Sequence, residues 1–506
     1  MKAITVADVL RLFEENGIYE ESFLSEEEEQ KVVAYISYNS QDIKPDTLFI
    51  CKGKAFKKEY LEDALNKGSI AYIAEDVILE EKPYILVNDV RKAMVLVSTA
   101  FHDDVWNKQL KMVGVTGTKG KTTTTFYTKS ILDCYTESQG KGKNGMLTGE
   151  YVFDGKVQEE AGLTTPEVFD LHRHLARCCE NGCEYLVMET SSQALKYGRT
   201  DGLKYTAGAF LNIGDDHISE IEHPDLDDYL NSKLRIFQQC EIAAINRDQD
   251  EEIFQRAYAE GKKYCKDVIT YGLSEDAEVR GYDIEATLET LKFTVNCRGE
   301  VFEVEANIGG YYNVMNILTA IAMTSAMGVP VEAIKEGVFK AKARGRLEVF
   351  DLPNKKDVKV IVDYAHNEMS YNALFESINK ICPGRKKIFI FGLTGDRAFG
   401  RRRMGGEVAD READRVVLTQ VTPGSEDPYK ICEEIRSYIS PEKDVKILVN
   451  RKEAIRYALD TVEDGWLVVF IGFSSCYSQK LDGKWVRETK SDIDAVKDYI
   501  EEHKNK

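Results

Sequence analysis

The strongest chemical signal in the chain is Gly114-Val115-Thr116-Gly117-Thr118-Lys119-Gly120-Lys121-Thr122-Thr123, a glycine-rich turn between a strand-like run and a helix-compatible one. Such a turn aims backbone N–H groups and a helix N-terminus at phosphate, with the Lys121 ammonium reaching the terminal phosphates and the Thr122 hydroxyl suited to Mg²⁺. The general phosphate-loop pattern wants glycine five residues before Gly120, where this chain has Val115, so the turn belongs to a subclass. A glycine turn without a ligand is the plain alternative, and the strand-turn-helix context argues against it. The turn is expected to hold a nucleoside triphosphate through Gly117, Thr118, Lys119, Gly120, Lys121, Thr122 and Thr123.

The elements that must position this turn read as α/β. Up to about residue 107, apolar runs at Thr47–Cys51, Ile70–Ala74 and Tyr84–Val87 alternate with turns and with a helical pattern over Glu59–Lys67. A second unit, 108–343, opens with Leu110–Val115 and a helix over Thr122–Tyr135. Apolar runs at Tyr185–Met188, Ala207–Leu211 and Ile242–Ile245 then predict a mostly parallel sheet covered by helices. Leu291–Asn296 and Val301–Ala306, around Gly299, read as a hairpin. A third unit, 344–506, alternates strands at Val358–Val362, Lys387–Phe391, Arg415–Leu418, Val445–Val449 and Leu467–Ile471 with helices in a doubly wound manner. The acidic run Glu26–Glu29 reads as a solvated loop.

Three units suit a chain of 506 residues. A hydrophobic fraction of 43% without any run of about 20 apolar residues argues against membrane insertion. Asp8, Glu14 and Glu15 interrupt the N-terminal segment, so no signal peptide is expected there and the protein is placed in the cytoplasm. Eleven scattered cysteines, an odd count without paired zinc-site spacing, read as reduced thiols. A net charge of -19 disfavours nonspecific nucleic-acid binding, so a polyanionic ligand needs a local cluster of cations or N–H groups.

The turn variant TGTxGKT is the one found in Mur ligases and folylpolyglutamate synthetases, and further motifs follow in order. Thr164-Thr165-Pro166-Glu167 resembles the segment that lies against the UDP-muramoyl peptide in MurE-type enzymes. Met188-Glu189-Thr190-Ser191-Ser192-Gln193-Ala194-Leu195, with Arg199, resembles MEVSSHxL…R. The resemblance implies that Glu189 is a Mg²⁺ ligand and that Ser191 and Arg199, with Thr164 and Thr165, hold the muramoyl peptide. Asn212 and Asp215-Asp216-His217 resemble NLxxDHLD, which implies that His217 completes a Mg²⁺ site; alone, it would read as a structural histidine. Lys233 stands at the place of a lysine that reacts with CO₂ to form a carbamate, an anion able to bind a second Mg²⁺ where an ammonium would repel it. Local sequence by itself reads Lys233 as a surface lysine on a helix.

Gly310-Tyr311-Tyr312-Asn313-Val314-Met315-Asn316 resembles GxFNxxN, implying an adenine contact among Asn313 and Asn316. Arg344-Gly345-Arg346-Leu347-Glu348 and Val362-Asp363-Tyr364-Ala365-His366 resemble the GRxE junction and VDYAH, implying that Arg346 reaches phosphate and Asp363 ribose. A buried Asp-His pair is the plain alternative for Asp363 and His366. Phe391-Gly392-Leu393-Thr394-Gly395-Asp396-Arg397 resembles the family's FGxxGDR, and Tyr38-Asn39-Ser40 the segment whose serine holds UDP. The expected architecture is therefore that of a three-domain Mur ligase, with a central P-loop NTPase-like parallel sheet and a C-terminal Rossmann-like domain.

The pattern breaks where the incoming amino acid is selected. After Thr419 the expected DNPR or DNPA reads Gln420-Val421-Thr422-Pro423-Gly424-Ser425, and the later KGxE reads Gly472-Phe473-Ser474-Ser475-Cys476. These losses disfavour meso-diaminopimelate and leave lysine, ornithine or a smaller amino acid open. Gln193, Tyr197 and Lys57-Lys58-Glu59-Tyr60 are further departures on the donor side.

The expected reaction is ATP-dependent ligation of an amino acid to UDP-N-acetylmuramoyl-dipeptide through an acyl phosphate, by a monomer that uses ATP, two Mg²⁺ ions and a carbamate on Lys233. Two anions must meet, so Lys121, Arg346 and metal would supply positive charge. Water would destroy the acyl phosphate, which predicts closure of the C-terminal unit about a hinge at residues 342–346. The alternatives are another ligase of the superfamily, acting on folate or building a different peptide polymer, and a non-catalytic nucleotide-binding relative. Ser40 favours a UDP-linked donor, and the joint presence of Lys121, Glu189, His217 and Lys233 favours catalysis.

Overall fold

A computed structural model describes residues 3–53, 55–214, 218–219, 222–342, 345–396, 400–472, 478–481 and 483–504. Three main sheets follow one another along the chain. The first has five strands in the spatial order Tyr19–Phe23, Tyr84–Val87, Ser69–Ala74, Thr47–Ile50 and Tyr35–Ser37, parallel except for the Tyr19–Phe23 edge. Its apolar strands Thr47–Ile50 and Ser69–Ala74 are buried almost throughout, as central parallel strands should be.

The central sheet has eleven strands. Its middle is parallel, with Lys111–Thr116 between Tyr185–Glu189 and Tyr205–Phe210. Val279–Ala286 and Gly145–Leu147 continue the parallel middle, and antiparallel pairing extends the sheet beyond them, through Leu291–Cys297 and Glu300–Ala306 on one side and Tyr151–Phe153 and Gln158–Glu160 on the other. The hairpin expected from Gly299 is present, whereas the three short strands from Gly145 to Glu160 carry too little apolar periodicity to be legible in advance. The third sheet orders Glu348–Asp351, Lys359–Asp363, Leu467–Ile471, Lys387–Phe391, Arg415–Leu418 and Asp444–Ile447, parallel but for the first.

The acidic run corrects one expectation. Glu26–Glu29 is a short helix, because the Ser25 hydroxyl and the Glu28 carboxylate form a reciprocal capping box and four carboxylates suit a helix N-terminus.

Apolar packing joins the three sheets. Val168 and Phe169, at the start of the central helix Val168–Glu180, are buried in the core of the first sheet. One continuous core runs from Val113 and Val115 through Ile317 and Ile321 to Tyr371 and Phe389 in the third sheet. Among the described residues no helix is long and apolar enough to cross a membrane.

Candidate active site

The glycine-rich turn sits where the buried strand Lys111–Thr116 meets the helix Lys121–Ser138. Gly120 caps that helix at φ +86°, and a Cβ there would lie 2.2 Å from Asn316 Oδ1. The Lys121 ammonium curls back to donate to the carbonyls of Gly117 (2.9 Å) and Thr118 (3.1 Å). Asn212 braces the turn: its Oδ1 accepts the N–H groups of Thr118 (3.1 Å) and Lys119 (2.9 Å), and its Nδ2 donates to the Lys119 carbonyl (3.0 Å). Those two N–H groups are thus engaged by Asn212 Oδ1. The N–H groups of the helix's first turn, which have no acceptor within the helix, are the ones left for an anion.

Thr122 and Glu189, 67 residues apart, are in direct contact. The Thr122 hydroxyl donates to Glu189 Oε1 at 2.8 Å, and the Gly149 N–H reaches the same oxygen at 3.2 Å. Glu189 ends the strand beside Lys111–Thr116 and is 2% exposed. A hydroxyl and a carboxylate at the mouth of a phosphate turn are the hard oxygen donors that suit Mg²⁺, so these residues fit that ion. His217, assigned to the same metal, lies outside the described residues.

Lys233 is no surface lysine: on the helix Leu226–Leu234 it is 1% exposed, with Nζ 4.2 Å from the centre of the Tyr229 ring. The Tyr229 hydroxyl in turn bonds Thr118 Oγ1 at 3.3 Å, which ties Lys233 to the phosphate turn. His223 also packs against Tyr229, with ring centres 4.8 Å apart. His223 bonds Asp228 through Nδ1 (2.6 Å) and Ser192 through Nε2 (3.0 Å), and burial holds its pKa below the ordinary histidine value. Sequence reasoning missed Tyr229, His223 and Asp228, because nothing in their local spacing separates them from helix-surface residues.

From the third sheet, Arg346 Nη2 pairs with Glu150 Oε1 at 3.0 Å, and its guanidinium stands 4.7 Å from the centre of the Tyr364 ring. Asp363 accepts the N–H groups of Leu347 (2.9 Å) and Ala365 (2.7 Å). Burial pushes its carboxyl pKa up, against the pull of Arg346 and those N–H groups. Its first visible role is therefore to hold Leu347, at φ +48°, and so to orient the adjacent Arg346. His366 is not paired with Asp363 as the plain alternative had it; its Nε2 meets Lys119 Nζ at 2.8 Å. Asn313 is fully buried, donates to the Gly309 carbonyl (2.8 Å) and accepts from Asn316 Nδ2 (3.0 Å). Within the hinge segment, residues 343 and 344 lie outside the described residues.

On the donor side, the Thr165 hydroxyl donates to the Glu189 carbonyl and accepts the Ser191 N–H, both at 2.9 Å. Ser191 caps the helix Ser192–Lys196. Arg199 pairs with Glu167 at 2.7 Å and donates to the Thr165 carbonyl at 3.3 Å. Glu167 also pairs with Lys52 of the first sheet's unit, and the Tyr38 hydroxyl bonds Asp170, so two links cross to the region of Ser40. Thr164 lies half-buried against Gly149, and Ser40 is 6% exposed with its carbonyl held by Lys67 Nζ at 2.9 Å. The structure thus brings Lys121, Thr122, Glu189, Thr165, Ser191 and Arg199 into one connected network, joined to Lys233 through Tyr229 and Thr118.

Residues 115–324 match the Mur ligase middle domain and residues 345–473 the Mur ligase glutamate ligase domain. The chain is 37% identical over 465 residues to a UDP-N-acetylmuramoyl-L-alanyl-D-glutamate–L-lysine ligase of Enterococcus faecalis, covering 90% of this chain and 89% of that one. The enzyme of the same name from Streptococcus mutans is 32% identical over 513 residues, covering 98% and 100%. Among solved structures, a UDP-N-acetylmuramoyl-L-alanyl-D-glutamate–2,6-diaminopimelate ligase superposes with a TM-score of 0.67 at 22% identity, over 99% of each chain. A Mycobacterium tuberculosis folylpolyglutamate synthase with ADP gives 0.61 at 15% identity, over 75% of this chain and 91% of that one. At those identities the two structural matches speak for the fold alone.

Proposed function

Because the chain belongs to the Mur ligase family, as an ATP-dependent enzyme that forms amide bonds, we propose that it adds L-lysine to UDP-N-acetylmuramoyl-L-alanyl-D-glutamate in peptidoglycan precursor synthesis. Its units are 1–107 for the UDP end of the donor, 108–343 for ATP and 344–506 for the amino acid. The lysine assignment draws on relatives of that name at 32% and 37% identity and agrees with the missing diaminopimelate motifs. A reaction that consumes ATP fits the cytoplasm, and we take the protein to act as a monomer.

The observation that carries the reading is the direct Thr122–Glu189 contact at the mouth of the phosphate turn, with Lys233 linked to the same turn through Tyr229. Thr122, Glu189, His217 and Lys233 as its carbamate would hold two Mg²⁺ ions. Held by those residues, the ions would supply positive charge that offsets the negative charge on the transferring phosphoryl oxygens.

Lys121 exchanges its two carbonyl partners for phosphate oxygens, and Arg346 exchanges Glu150 for the same group. Both place positive charge where the donor carboxylate must approach the triphosphate. Arg199, Ser191 and Thr165 orient the donor so that its carboxylate faces the terminal phosphate. The donor carboxylate attacks the terminal phosphorus of ATP, with ADP as the leaving group, and an amine of lysine then attacks the acyl carbon, expelling phosphate and losing a proton to give the amide.

Phosphate release measured with UDP-N-acetylmuramoyl-L-alanyl-D-glutamate across a panel of amino acids tests the assignment. Release with lysine and not with diaminopimelate is expected. Release only with another amino acid, or only with a folate acceptor, overturns it.

A further inference from the structure

The ends of the third sheet's strands hold a buried ion pair that the chemistry above does not use. Arg451, the first residue of the helix Arg451–Thr461, and Asp492, the first of the helix Asp492–His503, are both 0% exposed. Arg451 Nε donates to Asp492 Oδ1 at 2.8 Å and Nη2 to Asp492 Oδ2 at 2.6 Å. Removing two charges from water is costly, and an apolar pair of the same volume often serves stability as well or better. Stability alone is therefore a weak reason for this pair.

Its remaining donors indicate what it does. Arg451 Nη2 reaches the carbonyl of Ile471 at 3.1 Å, the last residue of the strand Leu467–Ile471. Nη1 reaches the carbonyl of Gln420 at 3.4 Å, two residues beyond the strand Arg415–Leu418. Those two strands flank Lys387–Phe391, so one planar guanidinium spans three strand ends. In doubly wound sheets ligands are received just beyond such carboxyl ends. Gly472 leaves no room for a side chain, since a Cβ there would fall 2.0 Å from Arg451 Nη2.

The residue that follows Thr419 is also turned inward. Gln420 is 2% exposed; its Oε1 accepts the Lys480 N–H at 2.6 Å, and its Nε2 donates to the carbonyls of Lys480 and Val449, both at 3.0 Å. Gln479 joins this layer by accepting the Arg451 N–H at 3.1 Å and donating to Glu488 at 2.7 Å. A fully bonded buried network of this kind rigidifies what it touches. The side chain of Gln420 thus belongs to the frame, and Arg451 holds the Gln420 and Ile471 carbonyls at a fixed separation.

We propose that Arg451, with Asp492 as its fixed counter-charge, is a positioning residue for the incoming amino acid, setting the distance between the chain at Gln420 and the strand end at Ile471. The proposal rests on the assignment of the C-terminal unit to the amino acid. Arg451→Lys keeps a cation beside Asp492 and loses the fork that reaches both carbonyls. The double variant Arg451→Met/Asp492→Leu removes both charges and guards against a merely unfolded single variant.

In steady-state kinetics both variants should raise the KM for the amino acid that the wild type uses by about tenfold or more, as expected for misplaced binding groups. The KM values for ATP and for the nucleotide-linked donor should stay within about twofold, since among the described residues Arg451 bonds neither Arg346 nor Asp363 and the other residues of those sites lie on the first two units. In hydrogen exchange on the free protein, the amides of Gln420–Ser425 should lose protection in Arg451→Lys while those of residues 117–121 keep it. A folded double variant with the wild-type amino-acid KM and preference, or equal rises in all three KM values, overturns the proposal. A wild type that ignores lysine would refute the substrate assignment alone. In that case unchanged protection of Gln420–Ser425 still overturns the role of Arg451, and lost protection supports it.

Discussion

Lys119 Nζ lies 2.8 Å from His366 Nε2, and His366 Nδ1 lies 3.0 Å from the carbonyl of Tyr364. The carbonyl can only accept, so Nδ1 carries the proton and Nε2 receives the lysine ammonium. The phosphate turn and the third sheet are therefore joined by a hydrogen bond whose tautomer is set from behind. Replacing His366 with alanine removes that link. Small-angle scattering should show a larger radius of gyration for His366→Ala without nucleotide, returning to the wild-type value with a non-hydrolysable ATP analogue plus donor. Identical profiles in all four samples would remove both the link and the closure it serves.

Arg346→Ala deletes the cation that pairs with Glu150 and is placed to meet the transferring phosphoryl group. Loss of one preorganised charge donor typically costs about 10²- to 10³-fold in turnover. The kcat for phosphate release should fall by that order while the donor KM changes little. An unchanged kcat would take Arg346 out of the chemistry.

Gly120→Ala puts a methyl group 2.2 Å from Asn316 Oδ1 in a backbone conformation that L-residues rarely adopt. Even if the Asn316 amide swings aside, the backbone at φ +86° is strained, and relieving that strain moves the first N–H groups of the helix Lys121–Ser138. Calorimetric titration with an ATP analogue should show affinity reduced by about tenfold or more, given about 1 kcal/mol or more of strain before the clash is counted. Wild-type affinity would mean that the turn does not carry the phosphates.

Lys233 sits 1% exposed on the face of Tyr229. Its carbamate should give a carbonyl resonance in protein equilibrated with ¹³C-bicarbonate, and Lys233→Ala should lack both that resonance and ligase activity while still binding nucleotide. A fully active Lys233→Ala enzyme would dismiss the carbamate.

His172 packs against Trp106, ring centres 4.2 Å apart and the planes tilted by 38°, with neither ring nitrogen hydrogen-bonded among the described residues. Burial pushes its pKa down to about 3 from an ordinary 6.5. Above about pH 6.5 the group is neutral in both folded and unfolded chains and contributes no pH dependence. Below it the unfolded chain takes up a proton that the folded chain refuses, so stability falls by up to about 1.4 kcal/mol per pH unit toward pH 3. Denaturant titrations of His172→Phe between pH 7 and 5 should show a shallower fall than wild type. Equal slopes would place the acid sensitivity elsewhere.

The sequence by itself determined the periodic elements and the phosphate turn. Apolar runs such as Lys387–Phe391 and Tyr185–Glu189 are buried on both faces, and glycines at fixed offsets state a turn through local sterics alone. It also carried ordered motifs in which Thr122, Glu189 and Lys233 could be named before any geometry was known. Only the tertiary structure decided which of these touch and which serve as frame. Asn212 turned out to occupy the N–H groups of Thr118 and Lys119, Tyr229 to join Lys233 to the phosphate turn, and Gln420 to face inward. The reason is that a motif records spacing along the chain, whereas hydrogen-bond partners such as Arg451 and Asp492 or Arg346 and Glu150 are set by parallel strands and crossovers that bring residues 41 and 196 positions apart within 3.0 Å.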